Sequence, residues 1–175
     1  MFGGYGYDET TSGNLSDLWK FSLTTKEWTW VQGDKVVDQP GVYGTQGVST
    51  NLTKPGARYV SCAWTDKNGD LWLFGGFGQD GSATTGYLND LWKYQPLTNR
   101  WTWVKGDNTV DQVGVYGTQG QAAFTNKSGA RTGSVTWTDG MGNLWLFGGY
   151  GYDGSTSGVL NDLWKISNLW GVLPL

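Results

Sequence analysis

The stretch FGGFGQDGSATTGYLNDLWKY, residues 74–94, decides the fold because it is one of three variants of a single pattern. FGGYGYDETTSGNLSDLWKF begins at Phe2 and FGGYGYDGSTSGVLNDLWKI at Phe147. Working outward, Trp28, Trp30, Trp64 and Trp72 return 73 residues later as Trp101, Trp103, Trp137 and Trp145. GVYGTQG occupies residues 41–47 and again 114–120. Of the twelve tryptophans, only Trp170 has no counterpart. A period of this kind marks a repeat architecture whose units bury their apolar faces only by stacking.

Four short strands are predicted in the central copy: Arg58–Trp64, Leu71–Phe74, Leu88–Tyr94 and Trp101–Val104. Asn68-Gly69 between the first two is a hairpin signal. Leu71-Trp72-Leu73-Phe74 is apolar throughout, as expected of a strand covered on both faces. No window of helical length carries apolar residues at i, i+3, i+4 and i+7. Several strands per repeat without intervening helices predict an all-β protein of small stacked sheets.

These residues resemble the kelch repeat. Its pattern is a strand ending in Gly-Gly, a variable loop, then an aromatic followed seven positions later by Trp. Gly3-Gly4, Gly75-Gly76 and Gly148-Gly149 match the first element, and Phe21 with Trp28 and Tyr94 with Trp101 match the last. The resemblance covers nearly the whole chain and implies a kelch-type β-propeller with four antiparallel strands per blade, similar to the galactose oxidase central domain. The period of 73 exceeds the usual kelch period of roughly 50, because a long segment near Gly33 to Gly56 joins the fourth strand to the next first strand. After Lys165 the pattern is lost, with Leu173 where Trp is expected.

The expected organisation is a single repeat region of about two and a half blades. It has a partial first blade with its crossover (1–56), a complete blade with its crossover (57–129), and an incomplete third blade (130–175). On this reading the chain begins with strands three and four and ends with strands one to three, as a fragment of a longer propeller would. Alternatively, the two ends jointly complete a blade, leaving one third strand surplus, and three chains close a six-bladed ring. Self-association through incomplete blades is the corresponding expectation.

Composition narrows function. Net charge is −3, with no Lys/Arg cluster to neutralise phosphates, so nucleic acid is not an expected partner. No run of 18 apolar residues predicts a membrane-spanning helix. Histidine is absent and Cys62 is the only cysteine, so intrachain disulfides, Cys/His zinc sites and His-based catalysis are excluded. The copper site of galactose oxidase, which uses His, is therefore not carried over. Cys62 aligns with Val135 and is expected to replace an apolar strand residue. Residues 76–81 and 149–154 match G-x-G-x-x-G, but a strand follows each, leaving no helix N-terminus for a pyrophosphate. No cofactor is expected.

Asp17, Asp90 and Asp162 recur and are read as acceptors for backbone N–H groups at the third strand. Asp8, Asp80 and Asp153 recur in the glycine loops, where calcium coordination is one reading. Arg58 and Arg131 are expected to bond a neighbouring blade's carbonyls or carboxylates. Sequons at Asn14, Asn51 and Asn126 are placed in or beside loops.

Antiparallel order puts the loop between strands two and three and the crossover to the next blade at one end of the sheets. Tyr, Gly, Ser and Asn on loops held by a rigid scaffold suit recognition. The candidate ligand-binding residues are Tyr5, Tyr7, Phe77, Asp80, Tyr150, Tyr152 and Asp153. Tyr43 and Tyr116, in the repeated heptapeptide, are expected to pack structurally. The function expected is a non-catalytic binding scaffold for a protein partner. Carbohydrate binding, or an enzyme whose catalytic residues lie outside this chain, are the alternatives.

Overall fold

A computed structural model describes residues 1–167. The described residues contain no helix and form three antiparallel sheets. The first holds β1 (Phe2–Tyr7), β2 (Ser12–Phe21) and β3 (Trp28–Gln32) in that order. In the second, β4 (Arg58–Tyr59) and β5 (Cys62–Thr65) both pair with β6 (Leu71–Gln79), followed by β7 (Thr85–Gln95) and β8 (Arg100–Lys105). In the third, β9 (Arg131–Thr132) and β10 (Val135–Thr138) pair with β11 (Leu144–Tyr152), which pairs with β12 (Ser157–Ile166). Trp170 and Leu173 lie outside the described residues.

All four strands expected in the central copy are present, with two differences. The first is split at Val60 and Ser61, where Val60 takes φ 52°. The second does not end at its glycines. β6 continues to Gln79, and the Gly-Gly pair forms a bulge, with the register shifting between Phe74 and Gly76. The same shift occurs at Gly3-Gly4 and Gly148-Gly149. All six glycines have positive φ, which L side chains rarely adopt. Close approach adds a second reason at Gly75, where a Cβ would lie 2.7 Å from Arg131 O in the next sheet and 2.9 Å from Leu88 O.

The first sheet also departs from the expectation that the chain opens on strands three and four. β1 is the counterpart of β6, so strands two, three and four are all present there. A blade shared between the two ends would consequently leave two strands surplus rather than one.

The sheets stack face to face. Leu18 of the first packs with Leu73, Trp92, Tyr94 and Trp101 of the second, and Tyr43 of the crossover completes that layer. Cys62, Trp64, Trp72, Phe74 and Leu91 on the other face of the second sheet pack with Leu144 and Leu146 of the third. A strand apolar at every position is thereby covered on both sides, as its sequence requires. Trp92 is fully buried; at roughly 25 cal/mol per Å² over about 150–250 Å², such a ring contributes on the order of 4–6 kcal/mol before entropy. The Trp64 indole also donates to Trp145 O at 3.0 Å, tying the second and third sheets together.

A buried hub organises the second sheet. Arg58 donates to both oxygens of Asp90, at 2.5 and 2.6 Å, with both side chains fully buried. Tyr43 Oη (2.6 Å) and Trp92 Nε1 (2.7 Å) donate to the same carboxylate. Arg58 also donates to the carbonyls of Gly56 and Gly75. Arg131, Asp162, Tyr116 and Trp164 repeat the bonding pattern in the third sheet, where Tyr116 is exposed. The Asp90 and Asp162 side chains thus take side-chain donors, not the backbone N–H groups expected, and each Arg bonds within its own sheet rather than to a neighbour. In the first sheet, Asp17 retains the Trp partner, Trp19 Nε1 at 2.6 Å.

Candidate binding surface

The loops between strands two and three are built on one device. Asp80 Oδ1 accepts the backbone N–H groups of Ser82 (2.7 Å) and Thr84 (2.9 Å), closing the turn after β6. Its other oxygen accepts from Val110 N in the following crossover at 3.3 Å. Asp8 does the same with Thr10, Thr11 and Val37, and Asp153 with Ser155 and Thr156. The N–H groups of Thr11, Thr10 and Val37 hold the Asp8 carboxyl down to about 2; those of Thr156 and Ser155 likewise lower Asp153. Both long segments therefore emerge together at one end, stitched by these bonds. Among the candidate residues, Asp80 is 2% exposed and Asp153 is committed to its own turn. The two carboxylates position the loops.

The aromatic candidates behave differently. The register Tyr59↔Phe77↔Tyr87 sets three rings side by side on one face of the second sheet. Their centroids are 5.7 and 5.2 Å apart. Tyr5 of the first sheet extends the row to Tyr59 at 6.0 Å. Tyr150 and Tyr152 of the third extend it from Tyr87 at 5.8 and 6.3 Å. One run of rings thus crosses all three sheets beside the loops, with Tyr5 and Tyr150 exposed. Tyr7 is exposed as well but joins none of these pairs.

Tyr59 and Tyr87 bridge the run, and sequence reasoning missed them. The signal was there as a departure from the repeat: Thr132 stands at the position of Tyr59, and Asn14 and Val159 at that of Tyr87. Repeated residues mark the scaffold, whereas residues unique to one copy mark what that copy adds. The Tyr87 phenol is raised by burial and by the neighbouring Tyr150 and Tyr59. Gln79 follows Phe77 by two positions on β6 and so lies on the same face. Its Oε1 is buried without a protein hydrogen-bond partner.

The repeated heptapeptide contributes packing. Tyr43 is buried, its ring 5.0 Å from Trp92 and 5.1 Å from Trp103, and burial followed by the Asp90 charge drives its phenol far above the usual range. Tyr116, against Trp164 at 5.1 Å, is pushed up to about 12 by burial and by its bond to Asp162. Cys62 is buried in an apolar layer, as its alignment with Val135 suggested. Asn14 of the first sequon lies inside β2 and is buried, not on a loop.

A cavity of about 130 Å³ lies between Gln46, Val104, Lys105, Gly106, Phe124, Thr125 and Lys127. It is well below the roughly 300–1,000 Å³ of a small-molecule site. Among the described residues, no three Asp, Glu, Cys or His side chains are grouped as metal ligands.

No protein-family model matches the sequence, and no curated protein matches it. The solved structure of YjhT is similar over 85% of this chain and 34% of that one, with 19% sequence identity and a TM-score of 0.49. The chain thus spans about a third of the length of that protein.

Proposed function

We propose that the three sheets are consecutive blades of a kelch-type propeller and that the chain is a non-catalytic scaffold binding a protein partner along its aromatic run. The observation that carries this is the continuity of the rings from Tyr5 through Tyr59, Phe77 and Tyr87 to Tyr150. Tyr gives large, stiff contact area at low entropic cost, with a hydroxyl for orientation. A broad aromatic row on an open surface suits a protein face better than a small ligand. The kelch motifs and the three bulged Gly-Gly strands support the propeller reading.

The test is affinity capture with the full chain, identification of the retained protein, and titration of that protein in purified form. Tyr5→Ser with Tyr150→Ser is expected to weaken binding at least ~10-fold, about 1.4 kcal/mol. Unchanged affinity sinks the reading. A second reading, carbohydrate binding, is favoured by the exposed Tyr5 and Tyr150 rings, which offer faces for stacking on a sugar. A glycan-array signal abolished by Tyr5→Ala or Tyr150→Ala would select it.

A further inference from the structure

The aromatic run is bordered by carboxylates. Asp111, in the crossover that follows the second sheet, accepts the backbone N–H of Tyr87 at 2.9 Å through Oδ1. Asp38, its counterpart one repeat earlier, accepts from Asn14 N at 3.0 Å, and Asn14 pairs with Tyr5 across β1 and β2. Both aspartates are exposed, and among the described residues neither Oδ2 has a hydrogen-bond donor. Asp8, Glu9 and Asp153 stand in the adjoining turns, and residues 8–11, 80–84, 106–114 and 153–156 contain no Lys or Arg. The lysines of the two crossovers and of the end of β8 are engaged elsewhere. Lys54 pairs with Asp34, Lys127 with Asp107, and Lys105 donates to Phe124 O.

Aromatic faces elsewhere on the molecule are capped from within. Lys35 lies over Trp30 at 4.9 Å, Lys105 over Phe124 at 5.2 Å, Lys165 over Trp145 at 5.5 Å and Lys93 over Trp72 at 5.9 Å. The ring quadrupole that attracts these ammonium groups is present in tyrosine as well. Among the described residues, no Lys or Arg lies over a ring of the run. The centre of this surface, with Tyr59, Phe77, Tyr87 and Asp111, belongs to the second sheet and its crossover, and that sheet has another packed on either side. Negative charge beside uncapped ring faces is complementary to a cation. An exposed ion pair alone is weak. A guanidinium that stacks on a ring while bonding a carboxylate gains from both contacts, and its planar, weakly hydrated group suits this better than an ammonium.

We propose that the partner held by this face is a cationic peptide segment, an arginine of which stacks on the run and pairs with Asp111. This rests on the reading of the run as a protein-binding surface and adds the chemistry of the partner.

Fluorescence anisotropy of a labelled peptide of alternating Arg and Gly, titrated with the full chain, tests this. Saturable binding that weakens as salt is raised is expected, with none for a peptide of alternating Glu and Gly. Asp111→Asn keeps an oxygen acceptor for Tyr87 N and a side chain that tolerates left-handed backbone, so it removes charge without disturbing the crossover. It is expected to weaken Arg-peptide binding about 3-fold. Glu27→Gln removes the same charge beside the turn between β2 and β3, at the opposite end, and should leave binding unchanged. No saturable binding of the Arg peptide, or equal losses from the two variants, overturns the proposal. If Asp111→Asn has no effect while the captured protein still depends on Tyr5 and Tyr150, the cationic assignment falls and the run remains the binding surface. A captured protein indifferent to both tyrosines overturns the reading of the run, and this proposal with it.

Discussion

At the scale of single residues, the Arg58–Asp90 pair concentrates the largest penalty for a lost partner. Both side chains are fully buried, and the carboxylate is satisfied by Arg58, Tyr43 and Trp92 together. Burial opposes the Arg58 charge, and Asp90 more than restores it, leaving the guanidinium above its ordinary value. Arg58→Met removes the compensating charge and leaves Asp90 stranded; a loss of about 3–5 kcal/mol is expected. Arg131→Met should cost less, because the Asp162 side chain is 15% exposed and can recover water. Urea unfolding of both variants checks the order, and equal losses would contradict this account. The same residue types were legible from the sequence as a recurring Gly-Ala-Arg and Asn-Asp-Leu-Trp. Their mutual pairing was not, because Arg58 and Asp90 are 32 residues apart and meet only through sheet register.

At the scale of the strand, the Gly-Gly bulge sets how closely neighbouring sheets approach. Gly75 has φ 59° and faces both Leu88 O and Arg131 O of the next sheet. Gly148 has nearly the same conformation, φ 63°, but its Cβ would meet only Leu160 O at 2.9 Å and Leu160 C at 3.8 Å. Either Gly→Ala change incurs left-handed strain of about 1–2 kcal/mol. Gly75→Ala must in addition push two sheets apart, so it is expected to lower stability by more than Gly148→Ala. Thermal unfolding of the pair measures the difference, and a smaller loss at Gly75 would show that the sheets yield easily. Strand identity followed from alternation and apolar runs. The bulge was hidden, because Gly-Gly after an apolar run reads equally as a turn or as a strand continuing through irregular backbone.

At the scale of the whole molecule, pH dependence follows from which groups folding perturbs. With no histidine in the chain, stability is expected to be nearly flat between about pH 5 and 8. Asp8, Asp153 and Asp162 are all held below their ordinary value of 3.8. For Asp162, burial acts against this and the bonds from Arg131, Trp164 and Tyr116 outweigh it. A carboxylate with a depressed folded pKa stabilises above its unfolded pKa and loses that contribution as pH falls. The urea midpoint should therefore drop as pH falls from about 4 toward 2, where Asp8 titrates. At the other end, Tyr116 contributes fully below its ordinary value of 10.0 and loses that contribution as pH rises toward about 12. A midpoint changing steeply near neutrality would show that these groups do not govern the response.

The repeated order of tryptophans, glycines and strands was written in the chain, because periodicity and turn chemistry are local properties that survive without coordinates. That fixed an all-β architecture and the grouping of long segments at one end. Which side of each sheet meets a neighbour, which carboxylates are spent on loop backbone, and how Tyr59 and Tyr87 join rings from three sheets were decided only by tertiary structure. Those outcomes depend on register and sheet stacking between residues dozens of positions apart, and no local propensity encodes them.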